Sequence, residues 1–134
     1  MQRDAIDTDE TRWPVVVHTT VGTPTDAQVD AFIARADAIL RRRTPHVVVF
    51  DNSNAGKASA YMRQRSMDWL RENGPLMTQH CAGVALVFRS AALRFVMSTV
   101  MLVTSHAAPY EVCATLPEAL GWAERQLASR RRER

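Results

Sequence analysis

Two hydrophobic periods take turns along this chain, one suited to strands and one to helices. The central example is His46 to Tyr61, HVVVFDNSNAGKASAY. Val47, Val48, Val49 and Phe50 form a continuous, mostly β-branched apolar run after Pro45, the pattern of a strand covered on both faces. Asn52 to Lys57 is rich in Asn, Ser and Gly, which favour a loop, and Ser59 is placed to cap a helix with Met62, Trp69 and Leu70 on its inner face. The same alternation recurs on either side. Arg12 to Val21 reads as a strand that Pro14 restricts to an edge or to strand entry. Cys81 to Phe88 reads as a further apolar strand, and Tyr110 to Ala114 as a short one. Ala5-Ile6 is a candidate edge strand within an otherwise ragged start.

Helical spacing fills the gaps between these strands. Over Thr25 to Arg43, residues Val29, Phe32, Ile33, Ala36, Ile39 and Leu40 share one face, and Thr25 with Gln28 has capping-box spacing. A helix is predicted over Ser59 to Asn73, stopped by Gly74, with one more turn over Leu76 to His80. Ser90 caps a helix over about Ala91 to Ser105, whose inner face is Leu93, Val96, Met97 and Val100. Phe95 and Leu102 project elsewhere on that helix, so it is either deeply buried or covered by a partner, and self-association through Phe95 and Leu102 is the expectation. A second capping box, Thr115 with Glu118, opens a last helix that faces Leu116, Ala119, Leu120, Ala123 and Leu127 inward and leaves Trp122 off that face. The β-α-β-α-β-α-β-α order predicts a single α/β domain with a mainly parallel sheet.

Composition changes this picture little. The chain has 134 residues, enough for one domain with its own core. Its net charge of +3 sits in the Arg130–Arg134 tail; the rest balances, so no basic nucleic-acid face is implied. No apolar run is long enough for a membrane helix, and the polar start is unlike a signal peptide, so a cytoplasmic protein is expected. Cys81 and Cys113 fall in strands and read as buried free thiols; with scattered His they make no zinc pattern.

Candidate chemistry gathers after the central strand. The NSNAGKAS loop fails as a phosphate-binding P-loop, because Asp51 stands where the leading Gly is required and Ala58 follows Lys57. Asp51 reads as a loop cap with no second carboxylate nearby in sequence. His46, His80 and His106 fall at the amino edge of the sheet, away from Ser53 and Ser59, which argues against a nucleophilic relay. Thr25, Ser59 and Ser90 all start helices at the carboxyl edge, with Lys57 and Arg89 close by, so an anion or a phosphate on Ser59 is one use of that edge and plain capping the other.

The VVVFD strand with its polar loop and helix, together with GTPTD, DWLRENGPLM, CAGVALVF-R-S and ATLPEALGWAERQL, resembles the STAS superfamily, and within it the SpoIIAA-like, anti-sigma-factor-antagonist-like domains. The resemblance covers the chain from about Arg12, giving a domain over 12–129, an N-terminal segment over 1–11 and a basic tail over 130–134. It implies a four- or five-stranded, mixed but mainly parallel sheet with helices mostly on one face. It also implies a bacterial regulatory module without catalysis, cofactor or metal, whose phosphorylated serine corresponds to about Ser59; the Asp before and the Gly after that serine are absent here.

The expected function is a protein-interaction module, a homodimer that binds a kinase or other regulator through Ser59, Ser53, Asp51, Lys57 and Arg89 or through the apolar 91–105 helix. The alternative is a carrier of a small apolar, lipid-like ligand lying under that helix, with Met residues as adaptable lining. An enzyme with Asp51, Lys57 and Arg89 in one pocket ranks last.

Overall fold

The computed structural model describes residues 4–133. Five strands, β1 (Ala5–Asp9), β2 (Val15–Gly22), β3 (His46–Ala55), β4 (Cys81–Val87) and β5 (Tyr110–Cys113), form one sheet in the order β1-β2-β3-β4-β5. β1 pairs antiparallel with β2, and every later pair is parallel. The edge strand therefore lies in the N-terminal segment, and Pro14 stands at the entry of β2, an inner strand.

Five helices complete the chain: α1 (Asp26–Leu40), α2 (Ala60–Glu72), α3 (Gly74–His80), α4 (Ala91–Val103) and α5 (Leu116–Arg132). Because β2 to β5 step across the sheet in one direction, right-handed crossovers put the connecting helices α1 to α4 on one face. α5, which connects to nothing further, folds back over the other. There Ala119 and Ala123 have no exposure, so their small side chains let α5 settle against Val47, Val49, Ala85, Val87 and Cys113. Arg130, expected in a basic tail at the helix end, lies in α5 and donates to the carbonyls of Gln79 and Cys81 at 3.1 Å each.

The caps form where the residue pattern places them. Thr25 and Gln28 complete a capping box, and Ser59, Ser90 and Thr115 accept from Met62, Leu93 and Glu118 backbone N–H groups, each cap worth about 1 kcal/mol. Three local expectations are corrected. α1 ends at Leu40, because Arg43 turns to a positive φ of 54°. Asn52 to Ala55, the first part of the predicted loop, extends β3, since Asn54 and Ala55 pair with Val21 and Gly22 beyond a register shift. The further turn expected over Leu76 to His80 starts earlier, as α3 from Gly74, with Pro75 in its first turn, where no N–H is needed.

Trp122 is also corrected. It packs from α5 onto the core, over a sheet position without a side chain: a Cβ on Gly83 would lie 2.6 Å from the Trp122 ring.

Candidate functional site

The carboxyl-edge residues make separate local contacts. Asp51 accepts from the backbone N–H and the hydroxyl of Ser53 at 3.1 and 2.7 Å, so its carboxylate is taken up within its own strand. Ser59 is occupied as the N-cap of α2, its Oγ 3.0 Å from the Met62 N–H. Lys57 and Arg89 contribute their carbonyls, to Thr23 and Arg94 respectively. Among the described residues no ion pair joins Asp51 to Lys57 or Arg89, and no three of His, Cys, Asp and Glu gather in a metal-binding group. Cys81 and Cys113 are buried free thiols, and desolvation pushes both up to about 11.

The site that the fold does build lies on the face carrying α1 to α4. The sheet presents His18, Thr20, Val48, Phe50, Asn52, Val84 and Leu86 to that side. α1 and α3 bury side chains over it: Val29, Phe32, Ile33, Ile39 and Leu40 from α1, and Met77 from α3. α2 and α4 bury none. The space they leave is a cavity of about 800 Å³, within the range of small-molecule sites. Its walls are mainly apolar: Phe32, Ile33, Ile39, Val48, Phe50, Met62, Trp69, Leu86 and Met101 among them.

Polar links hold α2 in place. Tyr61 and Arg65 donate to Asp30, Trp69 Nε1 donates to Asp37 at 3.0 Å, and Arg41 donates to Asn73. These bonds tether α2 along α1 and leave its apolar side, Met62 and Trp69, turned toward the cavity. Leu70, expected inside, is half exposed although it reaches the cavity edge. The expected inner face of the 91–105 helix is corrected too: Leu93, Val96 and Val100 on α4 are exposed, as are Phe95 at 74% and Leu102 at 78%. Arg94 on α4 donates to the carbonyls of Phe88 and Arg89 just before the helix, and His106 just after it bonds the Met101 carbonyl.

Two buried histidines sit on the cavity floor. His18 is edge-on to Phe32 and stacked on Phe50, with Nδ1 2.9 Å from the Thr8 hydroxyl, and desolvation pulls its pKa down to about 4. His46 donates from Nδ1 to the Thr44 carbonyl and stacks on Trp13; burial lowers its pKa as well. Both are neutral near pH 7, so the floor is polar at points but uncharged there.

None of Asp51, Ser53, Lys57, Ser59, Arg89, Phe95 or Leu102 lines this cavity. Sequence reasoning missed its lining, although a signal was present. Period-two alternation puts His18 with Thr20, Val48 with Phe50 and Asn52, and Val84 with Leu86 on one sheet face.

No protein-family profile matches the chain, and no curated protein does. Among solved structures, the chain is similar to the crystal structure of an uncharacterized protein from the DUF3478 family with a SpoIIAA-like fold, from Shewanella loihica PV-4. Sequence identity is 15% and the TM-score 0.69, over 92% of this chain and 98% of that one. At that identity the likeness speaks for architecture, and it agrees with the sheet order and helix placement above. The chain has a SpoIIAA-like fold, the STAS-type arrangement that its sequence motifs resemble.

Proposed function

We propose that this chain is a non-catalytic binding domain that holds a small apolar ligand between its sheet and helices α1 to α4. One observation carries the reading: the cavity of about 800 Å³, walled mainly by aliphatic and aromatic side chains. An apolar ligand of matching size would bury its surface against these walls. The expected result is a rise in Nile red fluorescence on adding the protein. Val84→Trp, which fills the cavity from the β4 floor, lowers that affinity at least about tenfold while the folded circular dichroism signal persists. No response from the wild type, or equal binding by the variant, rejects the carrier reading.

A second reading, a regulatory protein-interaction module, is favoured by the exposed apolar side of α4. A partner protein or a second copy covering Phe95 and Leu102 would remove that surface from water. Ser59, at the start of α2 beside the cavity roof, is where a modification would add charge next to a helix terminus. Phe95→Glu is expected to leave stability within about 0.5 kcal/mol, since the side chain contributes little to the core. In light scattering it shifts the wild-type mass from dimer toward monomer. A wild type already monomeric at high concentration eliminates self-association.

A further inference from the structure

We propose that the cavity selects an amphiphile with an anionic head, of the long-chain carboxylate class, and that Arg71 receives the head at the rim. This rests on the carrier reading above and gives the ligand a polarity and an orientation. Among the described residues lining the cavity, Arg71 is the one Lys, Arg, Asp or Glu side chain. It lies in the last turn of α2, with Gly74, Thr78 and the Ser105–Ala107 segment also at the wall. That wall is fixed, because the Thr78 hydroxyl donates to the Ala107 carbonyl at 2.9 Å, tying α3 to the segment before β5.

Charge is therefore one-sided. A cation stands at the rim of an apolar chamber, and no carboxylate lines it to attract a cationic head or to neutralise Arg71 from within. Asp68 forms an exposed ion pair with Arg71 along α2 at 3.6 Å, beyond a good hydrogen bond, and its Oδ1 already takes the Gln64 amide at 2.8 Å. The Arg71 side chain is 71% exposed, so its head remains hydrated and accessible to an arriving carboxylate, and guanidinium matches a carboxylate in two-point geometry. The tail then runs over Phe50, Val48 and Leu86 under α2 and α4.

The test compares dodecanoate, dodecanol and dodecyltrimethylammonium, each below its aggregation limit, as displacers of Nile red from the full chain at pH 8. The wild type is expected to bind dodecanoate about fivefold tighter than dodecanol, the scale of a largely exposed ion pair. Raising the salt concentration shrinks that preference and leaves the alcohol unchanged. Arg71→Met brings carboxylate and alcohol to parity without weakening the alcohol, and Arg71→Glu makes the ammonium the preferred head. Equal binding of acid and alcohol by the wild type, or a preference that survives Arg71→Met, overturns the head-group assignment and leaves the apolar cavity standing. Failure of all three chains to displace the dye, or of the dye to bind, overturns the carrier reading and this inference together.

Discussion

Gly83→Val is expected to destabilise the protein by about 2 kcal/mol, against the direction that strand propensity alone demands. Valine is favoured over glycine in a strand, an effect of at most about 1 kcal/mol. Packing opposes it with a larger magnitude. Gly83 sits in β4 opposite Val47, and a Cβ there would meet the Trp122 ring at 2.6 and 3.0 Å and the Gln126 Cγ at 3.4 Å. The indole is rigid and already wedged between α5 and the sheet, so either the ring leaves its place or α5 lifts. Overpacking of that kind costs about 1–3 kcal/mol before the two remaining methyl carbons are counted. Trp122→Ala alone is expected to cost about 2 kcal/mol, because the partly buried ring covers the glycine and supports α5. In the double variant the valine occupies space that the indole vacated. Its cost should fall short of the sum of the singles by more than about 1 kcal/mol. Urea unfolding of the four proteins measures this cycle. Additive losses, or a Gly83→Val protein as stable as the wild type, would show that the ring and the glycine are not matched.

That contact also marks where reading the chain reached its limit. Strand runs such as Val47–Phe50 and caps at Thr25, Ser59, Ser90 and Thr115 are local, set by spacing within a few residues, and they appear in the fold as the pattern places them. Trp122 lies off the α5 apolar stripe by helical periodicity. Only the absence of a side chain at Gly83, distant in sequence, lets it reach the sheet. The cavity is non-local in the same sense. Whether an apolar helix fills the space above a sheet depends on how closely it approaches, and α2 is held by its bonds to Asp30, Asp37 and Arg41 instead of by burial. The apolar excess of the 91–105 helix was legible, and its outward projection at Phe95 and Leu102 was anticipated. The solvent exposure of Leu93, Val96 and Val100 was not, since a sequence shows that a face is apolar without showing what lies opposite it. Attention to Asp51, Lys57 and Arg89 followed the usual placement of sites at the carboxyl edge. Here the sheet's broad face, not its edge, carries the concavity.

Acidification is expected to remove about 2 to 3 kcal/mol of stability between pH 7 and 4.5, most of it through His18. The sign follows from its two environments. In the unfolded chain His18 protonates near its ordinary value of 6.5, while in the fold desolvation between Phe32 and Phe50 holds protonation off until about pH 4. Within that window the unfolded state binds the extra proton, so stability is full above about 6.5 and declines as pH falls toward 4. His46, also lowered by burial, acts in the same direction. The lowered carboxylates do not confuse the measurement. Glu10 is held down chiefly by its hydrogen bond from Arg35 and Asp37 by that from Arg41, and both titrate in the fold below the ordinary carboxylate range. Their contributions start to fall near their ordinary values, 4.5 for Glu10 and 3.8 for Asp37, so only a small part is lost by pH 4.5 and most of it on further acidification. His18→Leu keeps an apolar body against the two rings and leaves the half-buried Thr8 hydroxyl to water. Chemical denaturation at pH 7 and 4.5 should show the variant losing less than half of the wild-type decrement. An identical decrement in both proteins would mean that His18 is not held neutral by its burial on the cavity floor, and that the floor is wetter than its packing implies.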